Sequence, residues 1–330
     1  MKANAVIPLG KKTGVSLIEV DDLHAGMRMD RFLKQHLPGV PSGLIHKLLR
    51  TGQVRLNGGR VKGDERLKPG GKVRIPPLNL PEPADPDHPA PPPAAMLRAL
   101  EGSLLLEGEG FMVINKPPGW PVHGGTGQIS GLIDGLRYLW KDSPHRPELC
   151  HRLDRDTSGC LLLATDRRAA GTLTAAFREG TVKKTYLTLV QGIPHPAEGV
   201  IESSLIKGML KSGERMVVTN DSGRSARTRY RVSERFRTES LLDITLDTGR
   251  THQVRAHLQS VGHPLAGDGK YGDRAFNRRM KEQGLKRMFL HARNLIFPHP
   301  VTGTPVRATA PLDPALVQLL DHLRQSSKTR

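Results

Sequence analysis

Cysteine is almost absent from this 330-residue chain: only Cys150 and Cys160 occur, without Cys-x-x-Cys spacing. That excludes a disulfide framework and offers no thiolate set for a structural zinc, so no metal is expected. Two small buried hydrophobes in a reducing compartment is the reading these residues support, and the chain is expected to be cytoplasmic. Aromatic residues are also few, 13 in all, so each one that falls inside a motif is informative. No apolar run approaches the roughly 20 residues that a membrane span requires. Residues 1–15 carry Lys2, Lys11 and Lys12, but their apolar core is short and broken by Pro8. They are read as a flexible arm rather than a signal peptide. No apolar heptad appears, and a monomer is expected.

Acidic residues are the other shortage. Asp and Glu number 32 against 50 Lys and Arg, a formal net charge of +18 and a pI near 10.3. This excess is larger than solubility requires and points to an acidic partner, with nucleic acid well ahead of an anionic membrane. The charge is uneven: residues 1–80 hold fifteen Lys and Arg against six Asp and Glu, half the net charge on a quarter of the chain. Within that quarter Met29, Phe32, Leu33 and Leu37 have helical spacing, ended by Pro38-Gly39. Leu44, Ile45, Leu48 and Leu49 form the apolar face of a second helix that stops at Gly52. Val54 to Asn57 reads as a strand, Gly58-Gly59 as a turn, and Val73 and Ile75 as a closing strand. Two short helices followed by a basic hairpin resemble the S4 RNA-binding fold. Arg31, Lys47, Arg50, Arg55, Arg60 and Lys62 are then the candidates to face phosphates.

Seven prolines between Pro81 and Pro93 predict an extended, semi-rigid linker, taken as residues 81–101. It joins the S4-like module of residues 16–80 to a larger domain of residues 102–330. There the pattern is strand-rich. Strands are expected at Phe111–Ile114, Cys160–Thr165, Lys184–Val190, Thr228–Val232, Leu241–Leu246 and Phe289–Phe297, and helices near 167–178, 251–261 and 314–323. Asp313 and Pro314 supply a start signal for the last of these. The basic stretch from Arg274 to Arg287 reads as a flexible or helical insertion. Runs of strands with scattered helices indicate an α+β fold rather than a doubly wound parallel sheet.

Chemistry concentrates in four places. His151-Arg152-Leu153-Asp154-Arg155-Asp156-Thr157-Ser158-Gly159 packs five charged or titratable side chains before an apolar run from Leu161 to Ala164. A charged loop feeding a buried strand holds a reactive side chain rigidly. One hundred residues on come Gly249-Arg250-Thr251-His252-Gln253-Val254-Arg255-Ala256-His257 and then Gly262-His263-Pro264 and Gly267-Asp268-Gly269-Lys270-Tyr271-Gly272. Between them lies Lys183-Lys184-Thr185-Tyr186, and before them Asn115-Lys116-Pro117-Pro118-Gly119 with Val122-His123-Gly124-Gly125. No glycine-flanked elbow surrounds Ser158, so a hydrolase nucleophile is not indicated. The glycines after His123 do not form a nucleotide-binding run, and a flexible RNA-contacting loop is expected there.

Together these segments resemble the RluA family of pseudouridine synthases, from about residue 16 to about 323. Within it the chain is similar to the type that modifies large-subunit (23S) ribosomal RNA, to which Val122-His123-Gly124-Gly125 and the N-terminal module point. The resemblance implies a mixed, mainly antiparallel sheet with a cleft on one face. It implies that Asp154 is the catalytic carboxylate, Arg255 its ion-pair partner and Tyr186 the residue that stacks on the extruded uridine. It sets Arg152, His123, Arg250 and His252 against the RNA. Asp156 corresponds to a variable place and is read as structural. His151 and His252 are read as hydrogen-bonding residues rather than acid–base catalysts. The isomerisation breaks N1–C1′ and rejoins the base through C5, so no cofactor is expected. Two other functions compete: a ribosome-assembly RNA-binding protein whose binding is what matters, and a hydrolytic glycosylase that would release free uracil.

Overall fold

The computed structural model describes residues 14–328 except 38–39, 41, 79–90, 125–129, 145, 210–214 and 221–222. Most of the expected N-terminal arm and most of the proline-rich segment lie outside the described residues. The chain divides into two compact units, with the boundary between Pro91 and Pro92.

In the first unit α1 (Met29–His36) buries Met29, Phe32, Leu33 and His36, the i, i+3, i+4, i+7 stripe of an amphipathic helix. Helix α2 (Ser42–Arg50) turns Ile45, Leu48 and Leu49 into the same core. These helices accompany a four-stranded sheet in the order β1-β4-β2-β3, with β1 (Ser16–Glu19), β2 (Arg55–Leu56), β3 (Gly59–Arg60) and β4 (Lys72–Ile75). Val73 and Ile75 face the core while Lys72 and Arg74 face solvent, the period-2 alternation of a half-buried strand.

The second unit begins with α3 (Ala94–Leu100). This corrects the linker expected at 81–101. Met96 and Leu100, one turn apart, are fully buried against Leu132, Ile133 and Leu136 of α4 (Leu132–Leu139). The proline signal ends at Pro93, and the helix starts at the next residue.

An eleven-stranded sheet dominates this unit. Its strands are β5 (Leu104–Gly108), β6 (Phe111–Lys116), β7 (Glu148–Leu149), β8 (Ser158–Ala164), β9 (Lys183–Gln191), β10 (Glu198–Met209), β11 (Arg215–Thr219), β12 (Arg224–Arg235), β13 (Glu239–Leu246), β14 (Leu290–Pro298) and β15 (Pro305–Thr309). The main order is β11-β10-β12-β13-β9-β14-β8-β6-β5, with β15 on β14 and β7 on β8. Among the described residues only β8 and β14 pair in parallel. Helices α5 (Arg167–Glu179), α6 (Gln253–Ser260), α7 (Arg274–Glu282) and α8 (Pro314–Lys328) complete it. All six strands and three helices expected from the sequence are present, and the structure adds β5, β7, β10, β11, β15 and α4. The stretch from Arg274 is a helix integrated into the core: Phe276 and Met280 pack with Leu316, Leu319 and Leu320 of α8.

Strand β8 is buried at every residue, as its run of Leu161, Leu162 and Leu163 suggests for a central strand. Gly159 within it has φ +107, and a Cβ there would penetrate the backbone of Ala292 on β14. Strain and clash add, so Gly159→Ala is expected to destabilise the protein by about 3 kcal/mol or more in urea unfolding. An unchanged midpoint would mean that the β8–β14 approach is not as close as described.

Candidate active site

The loop leaving β7 and entering β8 carries Asp154. Its backbone is tied from several sides. Thr157 N donates to Asp154 O at 3.2 Å, and Gly119 N to Arg155 O at 2.9 Å. Lys116, at the end of β6, is fully buried beneath the loop. Its Nζ donates to the carbonyls of Pro117, Arg155 and Thr157, each at 2.9 Å. Burial pulls its pKa down to about 7, against the opposing charges of Asp156 and Asp154. Three carbonyls match the three donors of an ammonium, and only the charged form satisfies all of them. Asp156 is paired with its neighbour Arg155 at 3.2 Å, both well exposed. At the end of the loop Ser158 Oγ is buried 2.9 Å from His291 Nδ1 and accepts from Arg287 Nη2 at 3.0 Å.

Opposite the loop, α6 places Arg255 in its first turn. The helix starts at Gln253 because the residue before it, His252, takes a left-handed conformation with φ +54. Such a conformation in a non-glycine residue costs energy and is held by its surroundings. Here the Gln253 side chain supplies the hold. Its Oε1 accepts from Thr248 Oγ1 at 2.8 Å and Arg250 N at 3.0 Å. Its Nε2 donates to Arg227 O at 2.9 Å and Thr228 Oγ1 at 3.0 Å. His252 Nδ1 lies 2.9 Å from the Tyr271 hydroxyl, and its Nε2 lies 3.8 Å from Asp154 Oδ2. Burial lowers the His252 pKa, keeping the ring neutral at pH 7.

Arg255 was expected to pair with Asp154, and its Nη1 does lie 3.4 Å from Asp154 Oδ2. Its stronger partner is Asp268. Nε donates to Asp268 Oδ2 at 2.7 Å and Nη2 to Oδ1 at 2.8 Å, a bidentate pair with Asp268 only 1% exposed. Tyr271 stacks on the guanidinium at 4.8 Å. Burial opposes the charge of Arg255, but the Asp268 bonds outweigh it and raise its pKa. Burial likewise pushes Asp268 upward, and Arg255 returns it below the ordinary carboxylate value. Asp268, Tyr271 and Lys116 were given no role from the sequence. Their signal was the density of glycine and chemistry-bearing residues in Gly267–Gly272 and Asn115–Gly119.

These elements line a pocket of about 490 Å³ that brings together Asp154, Tyr186, Arg255, Arg152, Arg250 and His252. Tyr186 on β9 is 8% exposed, and burial, reinforced by Asp154, pushes its hydroxyl pKa up so that it stays protonated. Arg152 and Arg250 are exposed at the pocket wall. His123 is exposed and is not among the lining residues. His151 is structural, as expected. Its Nε2 accepts from Leu162 N at 2.9 Å, its ring stacks on Phe177 at 4.3 Å, and burial lowers its pKa to about 3.

In the first unit Arg31, Lys47, Arg50, Arg60 and Lys62 are exposed and Arg55 is half-buried. Arg31 lines a small cavity with Arg28, Lys34 and His46. Arg55 faces Arg60 on one side and Arg74 on the other across β3-β2-β4, and among the described residues none of the three has an ion-pair partner.

Removing one partner of a buried ion pair typically costs about 3 to 5 kcal/mol, whereas a longer, partly exposed pair is worth about 1 kcal/mol or less. Asp268→Ala is therefore expected to destabilise the fold by about 3 to 5 kcal/mol, and Asp154→Ala by about 1 kcal/mol or less. Denaturant unfolding of both variants checks this, and equal costs would refute Asp268 as the anchor of Arg255.

Comparison with known proteins shows the family of the chain. A family model described as RNA pseudouridylate synthase matches residues 110–260. The chain is 42% identical to "Ribosomal large subunit pseudouridine synthase C" of Pasteurella multocida (strain Pm70), covering 96% of both chains. It is 42% identical to the protein of the same name from Escherichia coli (strain K12), covering 94% of this chain and 98% of that one. Among solved structures, "Human RNA Pseudouridylate Synthase Domain Containing 4" superposes with a TM-score of 0.59 at 28% identity, over 70% of this chain and 96% of that one. A charged loop, a buried tyrosine and an arginine shared by two carboxylates thus occur in a chain related to synthases over nearly its whole length. The chain belongs to the RluA family of RNA pseudouridine synthases.

Proposed function

We propose that this synthase isomerises specific uridines of large-subunit (23S) ribosomal RNA, with Asp154 as the catalytic carboxylate, Arg255 as its partner and Tyr186 as the platform for the extruded base. The observation that carries the reading is the convergence of the three side chains in one pocket, with Arg255 Nη1 3.4 Å from Asp154. The relatives named for the large ribosomal subunit support the substrate.

A uridine in folded RNA must leave its stack, which costs a few kcal/mol and is offset by stacking and hydrogen bonding in the pocket. A phenol ring that remains protonated presents a neutral face to the base. Asp154, kept near a guanidinium, can act on the sugar or the base as nucleophile or base while N1–C1′ breaks. The base then turns, C5 bonds to C1′, and the C5 proton leaves as N1 gains one, so atoms balance without an external reagent. Exposed Arg152 and Arg250 face the RNA, and His252 orders the pocket wall through Tyr271. His123, outside the pocket lining, is left to contact RNA beyond the target base.

The N-terminal unit is read as an S4-type RNA-binding module over residues 16–80, tied by a proline-rich segment to the catalytic domain. Like charges directly opposite on a sheet repel. Arg55 flanked by Arg60 and Arg74, with Arg31, Lys47, Arg50 and Lys62 also outward, makes a surface that gains from phosphate contacts.

Unmodified large-subunit ribosomal RNA labelled with tritium at C5 of uridine tests the reading. The wild type is expected to release tritium to water, and Asp154→Asn to lose this on the order of a thousandfold or more while still binding RNA. Retained release by Asp154→Asn would overturn the assignment of Asp154. Free uracil as product would favour a glycosylase. Growth or assembly defects of a null strain fully rescued by Asp154→Asn would favour a binding role.

A further inference from the structure

On β9 side chains alternate, so Lys184 shares the pocket face with Tyr186 while Thr185 points to the other side of the sheet. Lys184 has the features of a residue awaiting an anion. It is half-buried in the pocket wall, and among the described residues it has neither an ion pair nor a hydrogen-bond partner. Its ammonium lies 6.0 Å from the centre of the Phe177 ring, and a Cβ on Gly249 would lie 3.7 Å from it. The charge is therefore enclosed between α5 and the loop that leads into α6.

The negative group that acts on it is Asp247, and that carboxylate is already committed. Arg229 holds it at 3.0 Å and Arg227 at 3.3 Å. Burial lowers the pKa of Lys184, with Asp247 only partly opposing. A half-buried, unpaired ammonium is costly unless an anion arrives to pair with it. Exposed Arg250 lines the same pocket, and its Nε donates to Ser225 O at 3.3 Å.

We infer that Lys184 and Arg250 form a subsite for an RNA phosphodiester adjoining the uridine stacked on Tyr186. This rests on the proposed reaction, and it assigns a role to the one lysine among the described residues that line the pocket. Two residues along a strand span about 7 Å, comparable to the distance between a nucleobase and the phosphate of its own nucleotide. With the base on Tyr186, the phosphate of the same or the neighbouring nucleotide reaches the Lys184 ammonium. Gly249 matters for the same reason, because any side chain there would crowd the phosphate.

The test uses the full chain carrying Asp154→Asn, which holds RNA without turnover, and unmodified large-subunit ribosomal RNA transcript as the probe. Affinity is measured across a potassium chloride series with and without Lys184→Met, a neutral side chain of similar length. Lys184→Met is expected to weaken binding by about 10- to 100-fold at low salt. It is also expected to make the log–log salt slope shallower by about 0.7, the value for one single-strand phosphate contact. Lys184→Arg should restore both. A packing role on Phe177 would change affinity without changing the slope, so parallel salt lines overturn the inference, as does failure of Lys184→Arg to restore the slope. Tritium release by the wild type separates the two proposals. Release with parallel lines overturns the subsite alone. Differing slopes without release overturn the reaction and leave the phosphate subsite standing.

Discussion

Arg255 stands between two carboxylates of different character, and the site depends on that asymmetry. Asp268 is buried, bonded twice to the guanidinium and further satisfied by the backbone N–H groups of Lys270 and Tyr271. Asp154 is closer to solvent and meets the remaining nitrogen at longer range. The first pair fixes the guanidinium in place, since breaking it would strand a charge in the interior. The second is looser, and in the proposed reaction it lets Asp154 engage the substrate while its partner stays put. A single Arg–Asp pair could not both anchor the arginine and leave a carboxylate open to the pocket, because the bonds that hold an arginine rigid also occupy the carboxylate that makes them. Lys116 does the corresponding work for the opposite wall, gathering three carbonyls of the Asp154 loop and its neighbour around one ammonium. Preorganisation here consists of buried charges that hold the loop and the guanidinium around Asp154.

Much of this was legible in the sequence, and what was not follows a pattern. Strands with strong apolar signatures such as Leu161–Ala164 and Leu241–Leu246 stand where expected. Glu198–Met209 was missed because Glu202, Ser203 and Ser204 interrupt its apolar alternation. Helix Ala94–Leu100 was hidden by the prolines just before it, since composition over a window cannot see where a signal stops. At the site, the family resemblance points to Asp154, Tyr186 and Arg255. Asp268 escaped because thirteen residues separate it from Arg255. Only the return of the chain after α6, through the bridge between Leu265 and Val190 of β9, brings it beneath the helix. Ion pairs across a fold carry no local periodicity, whereas helices and strands do.

The nine-residue charged cluster separates by environment once folded. His151 is neutral and stacked, exposed Arg152 and half-buried Asp154 line the pocket, Leu153 joins the core, and Arg155 and Asp156 pair with each other at the surface. A dense charge run thus needs no single explanation. The loop presents one carboxylate by disposing of its other charges in different directions.

The strand order bears on how the protein comes to exist. Strands β8 and β9 are consecutive along the large sheet's half of the chain, yet β14 lies between them and pairs with both. During synthesis the ribosome releases Asp154 and Tyr186 long before residue 290, and until β14 emerges the two strands have an unfilled slot between them. The first unit has no such wait, because its core draws only on residues 18–78. A nascent chain can therefore fold its basic module early. Its sheet, and with it the assembled pocket, closes only when almost the whole polypeptide has been made.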